Sequence, residues 1–425
     1  MTQDKRTRRP SPARPVTPAT PVERRTPLYD IHARAAAKMI PGGGGFMFPF
    51  SYTAPMEEHL NTRTNVGMQD LSTMGEVDVK GPGAERLINR LLVNDIRDLH
   101  PGQVRYSTMC NEDGLILDDI TVYKFSEEHF MVVTSSGPRK ESYRWIADHA
   151  VGASAYATDL TGAIALISVQ GPRSRDFLLS LVEGADLENL RFFWFTPAVI
   201  NGTELLISRS GYTGELGYEL YVPAEEAAAI WNHLLAQGKE FGLLPYGVQA
   251  MQSLRIEKAL PLYGPDIDGS QTPFHVGLNR WIRFDKREFV GREALLRVQD
   301  MGLDQRWTGL VLESDIPANN GDSVYSIADI STVKQKMFSG SEAGASFDLE
   351  TAGQPIGMVT SSTKGHSVGK MLALAYLDVT HSWPGARVMV NVSGRGILAT
   401  VTTTPFFDPQ GIRLRATGSR KINNL

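Results

Sequence analysis

The chain has 425 residues, 42% of them hydrophobic and 21% charged, enough apolar material for two or three domains and too little charge for a disordered polymer. Its 43 basic and 47 acidic residues leave a net charge of −4, so composition gives no support to a nucleic-acid partner. A single cysteine excludes an internal disulfide or a Cys-rich zinc site, and no apolar run reaches the ~18 residues of a membrane span. A soluble, cytoplasmic protein is expected.

Residues 1–26 read as a disordered tail. Seven basic residues precede Thr26 against Asp4 and Glu23, while Pro10, Pro12, Pro15, Pro18 and Pro21 oppose the amphipathic helix of an organelle-targeting segment. A helical pattern over 29–40 ends at Pro41 and the run Gly42 to Gly45. Phe46, Phe48, Phe50 and Tyr52 then recur at every second residue. In an extended segment they share one face, either as core or as an aromatic wall turned to a ligand.

Alternation predicts strands at 76–80, 117–123 and 130–133 around a helix near 82–92. Helices follow near 140–150, 172–182, 223–238, 246–259 and 292–300, with strands at 163–169, 204–209 and 217–222. Beyond 305 strands dominate, at 307–313, 356–360, 371–377, 386–392 and 395–404. A Gly/Ser/Asp-rich stretch near 315–350 reads as an exposed insertion. The pattern is an α+β body with a β-rich carboxy-terminal domain.

Chemistry concentrates at two places. After the turn Asn111-Glu112-Asp113-Gly114, Asp118 and Asp119 fall on opposite faces of a strand, so one carboxylate faces inward or both lie at a solvated strand end. The run Gly211 to Glu219 is not a phosphate loop, since it lacks GxGxxG and the P-loop lysine. Tyr212 and Glu219 offer an aromatic face and a bidentate acceptor, which suits a flat heterocycle with adjacent N–H donors, such as a pterin; a glycine-laden hairpin is the alternative. The nine histidines are scattered without metal spacing, no GxSxG occurs, and Cys110 reads as core.

Taken in order, these segments resemble the glycine-cleavage T-protein (aminomethyltransferase) superfamily from Arg25 to about Phe407. The likeness runs through Arg25-Thr26-Pro27-Leu28-Tyr29, Met74-Gly75-Glu76, Cys110 to Asp119, Val169-Gln170-Gly171-Pro172 and Gly211 to Glu219. It continues through Ser253 to Glu257, Leu262 to Asp268, Phe289 to Leu295 and Thr404-Pro405-Phe406. The resemblance implies a three-domain cloverleaf with tetrahydrofolate in a central channel. A folate-binding catalytic region of two interleaved α+β domains would span 27–290 and a β-barrel domain 291–425. It places the catalytic aspartate at Asp119, the pterin-gripping glutamate at Glu219, and ring-flanking aromatics at Tyr106, Tyr212 and Phe193. Tyr123, Thr134 and Trp281 complete the expected cofactor set, and no metal is expected.

Departures from the T-protein pattern decide the expected donor. The arginine that precedes the Ser253 segment in T-proteins is Met251 here. An asparagine after Met131-Val132-Val133 is Thr134, Asp-Val-Ser-His-Met reads Asp70-Leu71-Ser72-Thr73-Met74, and a Gly-Trp-x-Met-Pro-Leu segment reads Gly45 to Phe50. These changes point to the family's tetrahydrofolate-dependent demethylases. A methyl or methylene group would leave an aryl methyl ether, methylated amine or sulfonium compound bound by Phe46, Phe48, Phe50, Tyr52, His59 and Arg280. His59, Arg280 and Lys364 are candidates on residue type for protonating a leaving group. The alternatives are a true T-protein acting on aminomethylated H-protein, and a non-catalytic folate-binding accessory protein. The latter group carries a cysteine motif that Gly211-Tyr212-Thr213-Gly214-Glu215 lacks.

Overall fold

A computed structural model describes residues 23–327, 346–347 and 352–416. Two sheets and a barrel carry the site. In the first sheet the spatial order is Val182–Glu183, Phe195–Ile200, Thr203–Ser208, Gly217–Pro223, Ile164–Gln170, Val66–Asp70 and Leu243–Pro245, antiparallel except for the last pair. In the second, Val104–Cys110, Ile116–Ser126, His129–Thr134, Gly75–Lys80 and Tyr156–Asp159 are antiparallel throughout. Gln305–Leu312, Lys370–Asp378, Ala352–Gly365, Ser323–Ile327, Arg387–Val392 and Arg395–Thr402 follow one another around a closed six-stranded barrel, the last pairing back on the first.

Eight helices dress this frame among the described residues: α1 Tyr29–Arg34, α2 Pro55–Thr64, α3 Ala84–Leu91, α4 Arg139–Ala150, α5 Ser174–Leu179, α6 Ala227–Gln237, α7 Val248–Glu257 and α8 Arg292–Met301. Period-two burial fixes each sheet. Val77 and Val79 turn to the same core as Leu87, Ile88 and Leu91 of α3 and Ile146 of α4. Val66, Met68, Ile167, Val169, Leu220 and Val222 meet Ile230, Trp231 and Leu234 of α6. Each such aliphatic side chain contributes about 1.5–3 kcal/mol on burial. The barrel interior mixes Leu310, Val359, Leu377, Val388 and Val401 with small Ala373, Ala375 and Ala399, the size mixture that fills a narrow barrel.

A third cluster decides where the site lies. Tyr123, Met131 and Val133 of the second sheet pack on Leu166, Phe195 and Tyr221 of the first, so the two sheets face one another across a polar-edged seam.

Three expectations shift. The 29–40 helix stops after one and a half turns, because Lys38–Pro41 pairs with Phe46–Ser51 after a left-handed Ala36 (φ 55°). Sheet pairing outweighs the weak propensity of a short helix. Order begins before Thr26, since Arg24 and Arg25 pair in parallel with Phe46 and Met47. Ser323–Ile327, inside the expected insertion, is a stave of the barrel. Residues 1–22 of the tail and most of the remaining insertion lie outside the described residues.

Candidate functional site

The strand Ile116–Ser126 sets the first group. Opposed residues of neighbouring strands share a face, so Asp119 lies with Thr108, Thr121 with Tyr106 and Val133, and Tyr123 with Met131. That face looks into the seam; the opposite face buries Ile120 and Val122 in the α3/α4 core. Asp118 is completely buried on that opposite side, where Ser142 Oγ of α4 donates to its Oδ2 at 2.6 Å. Asp119 is only partly covered. Tyr106 OH donates to its Oδ2 at 3.0 Å and Ser135 Oγ to its Oδ1 at 3.3 Å. Burial raises the Asp119 carboxyl above its ordinary range, and these two donors pull the other way.

The second group comes from the first sheet. Glu219 opposes Ser168 and Ser208, and Ser210 Oγ donates to Glu219 Oε2 at 2.5 Å. Oε1 has no hydrogen-bond partner among the described residues. Burial holds this carboxyl above its ordinary range, against the Ser210 bond. Beneath it Tyr123 OH and Tyr221 OH are 2.7 Å apart, and Tyr123 OH donates to Ser208 Oγ at 3.3 Å. Burial, then the charge of Glu219, pushes the Tyr123 phenol upward. A half-buried acid with one open oxygen, ringed by hydroxyls that stay protonated, is a ready acceptor for a ligand's N–H groups.

Aromatic groups line the approach. Tyr106 and Trp281 meet edge to face with centroids 6.1 Å apart, and the Arg280 guanidinium lies 5.1 Å from the Trp281 centroid in exposed surface. The hydroxyl of Tyr212 donates to the Pro261 carbonyl, which fixes the ring; its field reaches Arg255, Asp119 and Asp266. Phe193 adopts a left-handed backbone (φ 61°), stacks on Phe192 at 4.2 Å and joins the inter-sheet cluster.

Other expected residues are placed apart from these. Thr134 gives its hydroxyl to the Gly75 carbonyl at 3.3 Å. Phe46 lies under Arg139 (4.5 Å), Phe48 packs over Gly42, and Phe50 lies 4.9 Å from the Lys38 ammonium. Tyr52 turns to His32 Nδ1 at 2.8 Å, inside a buried chain His32–Asp70–Thr26. Phe46, Phe48 and Phe50 thus alternate along one strand beside Arg139, Gly42 and Lys38, while the Tyr52 hydroxyl is taken by His32. His59 is fully buried, with Nδ1 2.7 Å from Ser253 Oγ and Nε2 2.8 Å from Ser367 Oγ and 3.4 Å from Glu257. Met251 packs with Tyr246, Ala250 and Leu254 and brings no charge. Lys364 is half exposed, 3.9 Å from Asp315.

Ser135, Ser210, Tyr221 and Asp266 complete the constellation, and sequence reasoning does not mark them. Asp266 Oδ1 accepts from Thr360 Oγ1 (2.5 Å) and Ser361 Oγ (2.8 Å) of the barrel, and Oδ2 accepts from Arg255 of α7 (2.5 Å). Lone serines at strand ends carry no pattern, and Asp266 is visible only as part of the segment Leu262 to Asp268.

A flat N–H-rich ring with an extended tail fits this donor and acceptor set: Glu219 Oε1 awaits donors, Asp119 stands partly open, and aromatic faces lead outward. Comparison with known proteins agrees. Residues 28–286 match the GCVT N-terminal domain and 308–408 the glycine cleavage T-protein C-terminal barrel domain. The chain is 35% identical over 385 residues to an aminomethyltransferase of Moorella thermoacetica, covering 90% of this chain and 98% of the relative. An aminomethyltransferase of Halothermothrix orenii is 33% identical over 383 residues, covering 90% and 99%. The crystal structure of glycine cleavage system aminomethyltransferase T from Bartonella henselae superposes with a TM-score of 0.79 at 29% identity, over 91% of this chain and 98% of that one. The chain belongs to the glycine-cleavage T-protein (aminomethyltransferase) family, whose members are one-carbon transferases that use tetrahydrofolate.

Proposed function

We propose that this chain moves an aminomethyl-derived one-carbon unit from a lipoyl-bearing H-protein to tetrahydrofolate, the T-protein step of glycine cleavage. The observation that carries the reading is the pair of carboxyls: Asp119, aimed by Tyr106 and Ser135, and Glu219, held by Ser210 with one oxygen open. Bound tetrahydrofolate supplies the nucleophilic nitrogen that receives the carbon. Glu219 fixes the ring by accepting its N–H groups, Tyr106, Tyr212 and Trp281 exclude water from its faces, and Asp119 holds or exchanges a proton beside the reacting nitrogen. Residues 27–290 form the catalytic region and 291–425 the barrel region in this reading. End-to-end likeness to relatives named aminomethyltransferase, at 32–35% identity, supports the aminomethyl donor.

A second reading, demethylation of a small methylated substrate, is favoured by one observation. The position of the family's folate-holding arginine is filled by apolar Met251 in an apolar cluster. The two separate in one assay. The purified chain is given tetrahydrofolate with aminomethylated H-protein, or with a panel of aryl methyl ethers, betaines and a sulfonium propionate, and folate products are identified by mass spectrometry. Methylene-tetrahydrofolate from H-protein is the expected product. Methyl-tetrahydrofolate from a free small molecule, with none from H-protein, transfers the assignment to the second reading.

A further inference from the structure

Asp118 stands one residue from the carboxyl assigned to the reaction, on the other face of the same strand, and nothing above gives it a task. It is completely buried, and no cation pairs with it among the described residues. Ser142 Oγ donates to Oδ2, and the Ser135 backbone N–H reaches Oδ1 at 3.3 Å and Oδ2 at 3.2 Å. Ser135 follows the last laddered residue, Thr134, so its N–H has left the sheet and Asp118 is the acceptor that fixes it. The other end of Ser135 points the opposite way: its Oγ lies 3.3 Å from Asp119 Oδ1 and 3.3 Å from the Asp119 carbonyl oxygen, so its one proton is shared between them. One residue thus bridges two neighbouring carboxyls, with its N–H on the buried one and its O–H on the reacting one.

We propose that Asp118 is a positioning residue, which anchors Ser135 and through the Ser135 hydroxyl sets the aim and the proton affinity of Asp119. Burial first, and the charge of Asp119 second, raise the Asp118 carboxyl well above its ordinary range, the direction that favours an uncharged anchor. An amide can replace an uncharged anchor. In Asp118→Asn the amide oxygen takes the place of Oδ2 and keeps the bonds from both Ser142 and Ser135. The other ionisable groups whose fields meet at this carboxyl pair are Tyr106, Tyr212, Tyr263 and Asp266, the last held by Arg255. They are unchanged in variants at 118 or 135, so differences isolate the bridge.

The test is a carbon-13 NMR titration of the full chain labelled at aspartate Cγ, with the Asp119 resonance assigned by its loss in Asp119→Asn. Tetrahydrofolate affinity is followed in parallel by intrinsic fluorescence. Asp118→Asn should leave the Asp119 midpoint in place. Asp118→Ala and Ser135→Ala should each raise it by at least about half a pH unit, because a donor to the ionised form is lost or loosened. Folate affinity should stay within about twofold, since the pterin-gripping Glu219 is untouched. A midpoint that falls in both Asp118 variants would mark Asp118 as a repelling charge and overturn the proposal, as would an unmoved midpoint in folded Ser135→Ala. Should Asp118→Ala not fold, Ser135→Ala and Asp118→Asn still decide the matter. The proposal rests on Asp119 being the reacting carboxyl, but the titration uses no one-carbon donor. An error in the donor therefore appears in turnover and leaves the titration standing, while failure of the wild type to bind folate would sink the functional reading itself.

Discussion

At the scale of single residues, the proposed function divides binding and proton handling between two carboxyls whose hydrogen-bond partners differ. Both are half-buried, but Asp119 is served by two hydroxyls on its two oxygens, whereas Glu219 has one donor and one open oxygen. Asp119→Asn should therefore lower single-turnover rate by about a hundredfold or more while folate still binds, the usual scale for a lost proton-handling group. Glu219→Gln should instead weaken folate binding about ten- to hundredfold, since a hydrogen bond to a charged group contributes about 1.5–3 kcal/mol. A different kind of carboxyl is Glu76: both oxygens are buried without a hydrogen-bond partner among the described residues, and burial, then Asp159, raises it well above the ordinary range. A group raised in the folded state contributes stability that is present at low pH and lost as pH climbs toward its folded value. Glu76→Gln cannot titrate, so its stability advantage over wild type in denaturant melts should widen as pH rises from the ordinary carboxylate range toward neutrality. A constant difference across that range would show that Glu76 is paired after all.

At the scale of elements, much of the architecture was legible because periodicity carries it. The strands around 76–80 and 117–123 and the helix near 140–150 turn one face to a core and alternate or wind accordingly, while 371–377 is buried on both faces and reads as a continuous apolar run. Asp118 and Asp119 were separable for the same reason. What escaped was set by specific pairing that periodicity does not report. The 29–40 pattern lost its second half to pairing with Phe46–Ser51, and α2 begins at Pro55 under a Glu58 carboxylate that accepts from the backbone of Tyr52 and Thr53. The phenylalanine run keeps its strand but spends its rings on Arg139 and Lys38. Helix α2 also supplies Arg63, nearly buried, which donates to Glu215 at 3.2 Å and to Glu257 at 2.9 Å. Burial would raise Glu257, yet His59 and Arg63 outweigh it and hold the acid at about 2; burial wins at Glu215, which lies above its ordinary range. Arg63→Met should cost about 3–5 kcal/mol in unfolding free energy, because two buried acids lose their shared cation. Chemical denaturation measures it, and a loss below about 1 kcal/mol would mean that Arg413 alone suffices for Glu215.

At the scale of the whole molecule, one buried acid links the barrel to the site, beside the packing of Tyr376 and Trp307 near Tyr106 and Trp281. Asp266 joins Arg255 of α7 to Thr360 and Ser361 of the barrel, and its charge raises Asp119. Asp266→Ala should destabilise the protein by about 3–5 kcal/mol, as it strands a buried Arg255. It should also lower the Asp119 midpoint, since a like charge is gone. The pairing of barrel and catalytic region was readable only through family resemblance; no local pattern ties Asp266 to Thr360 across 94 residues. The donor was the least legible feature. Sequence departures at Thr73, Thr134 and Met251 pointed to a small methylated substrate, whereas Thr134 and Met251 are absorbed by internal packing, and end-to-end relatives point to aminomethyl transfer.

The most direct test of the account is a single-turnover measurement of methylene-tetrahydrofolate formation from aminomethylated H-protein across a range of folate concentrations. In wild type the product should form. In Glu219→Gln the rate should return as folate is raised, and in Asp119→Asn it should stay depressed about a hundredfold at saturation. Full-rate turnover by Asp119→Asn at saturating folate, or a Glu219→Gln defect that no folate concentration relieves, would contradict the division of binding and proton handling between these two acids.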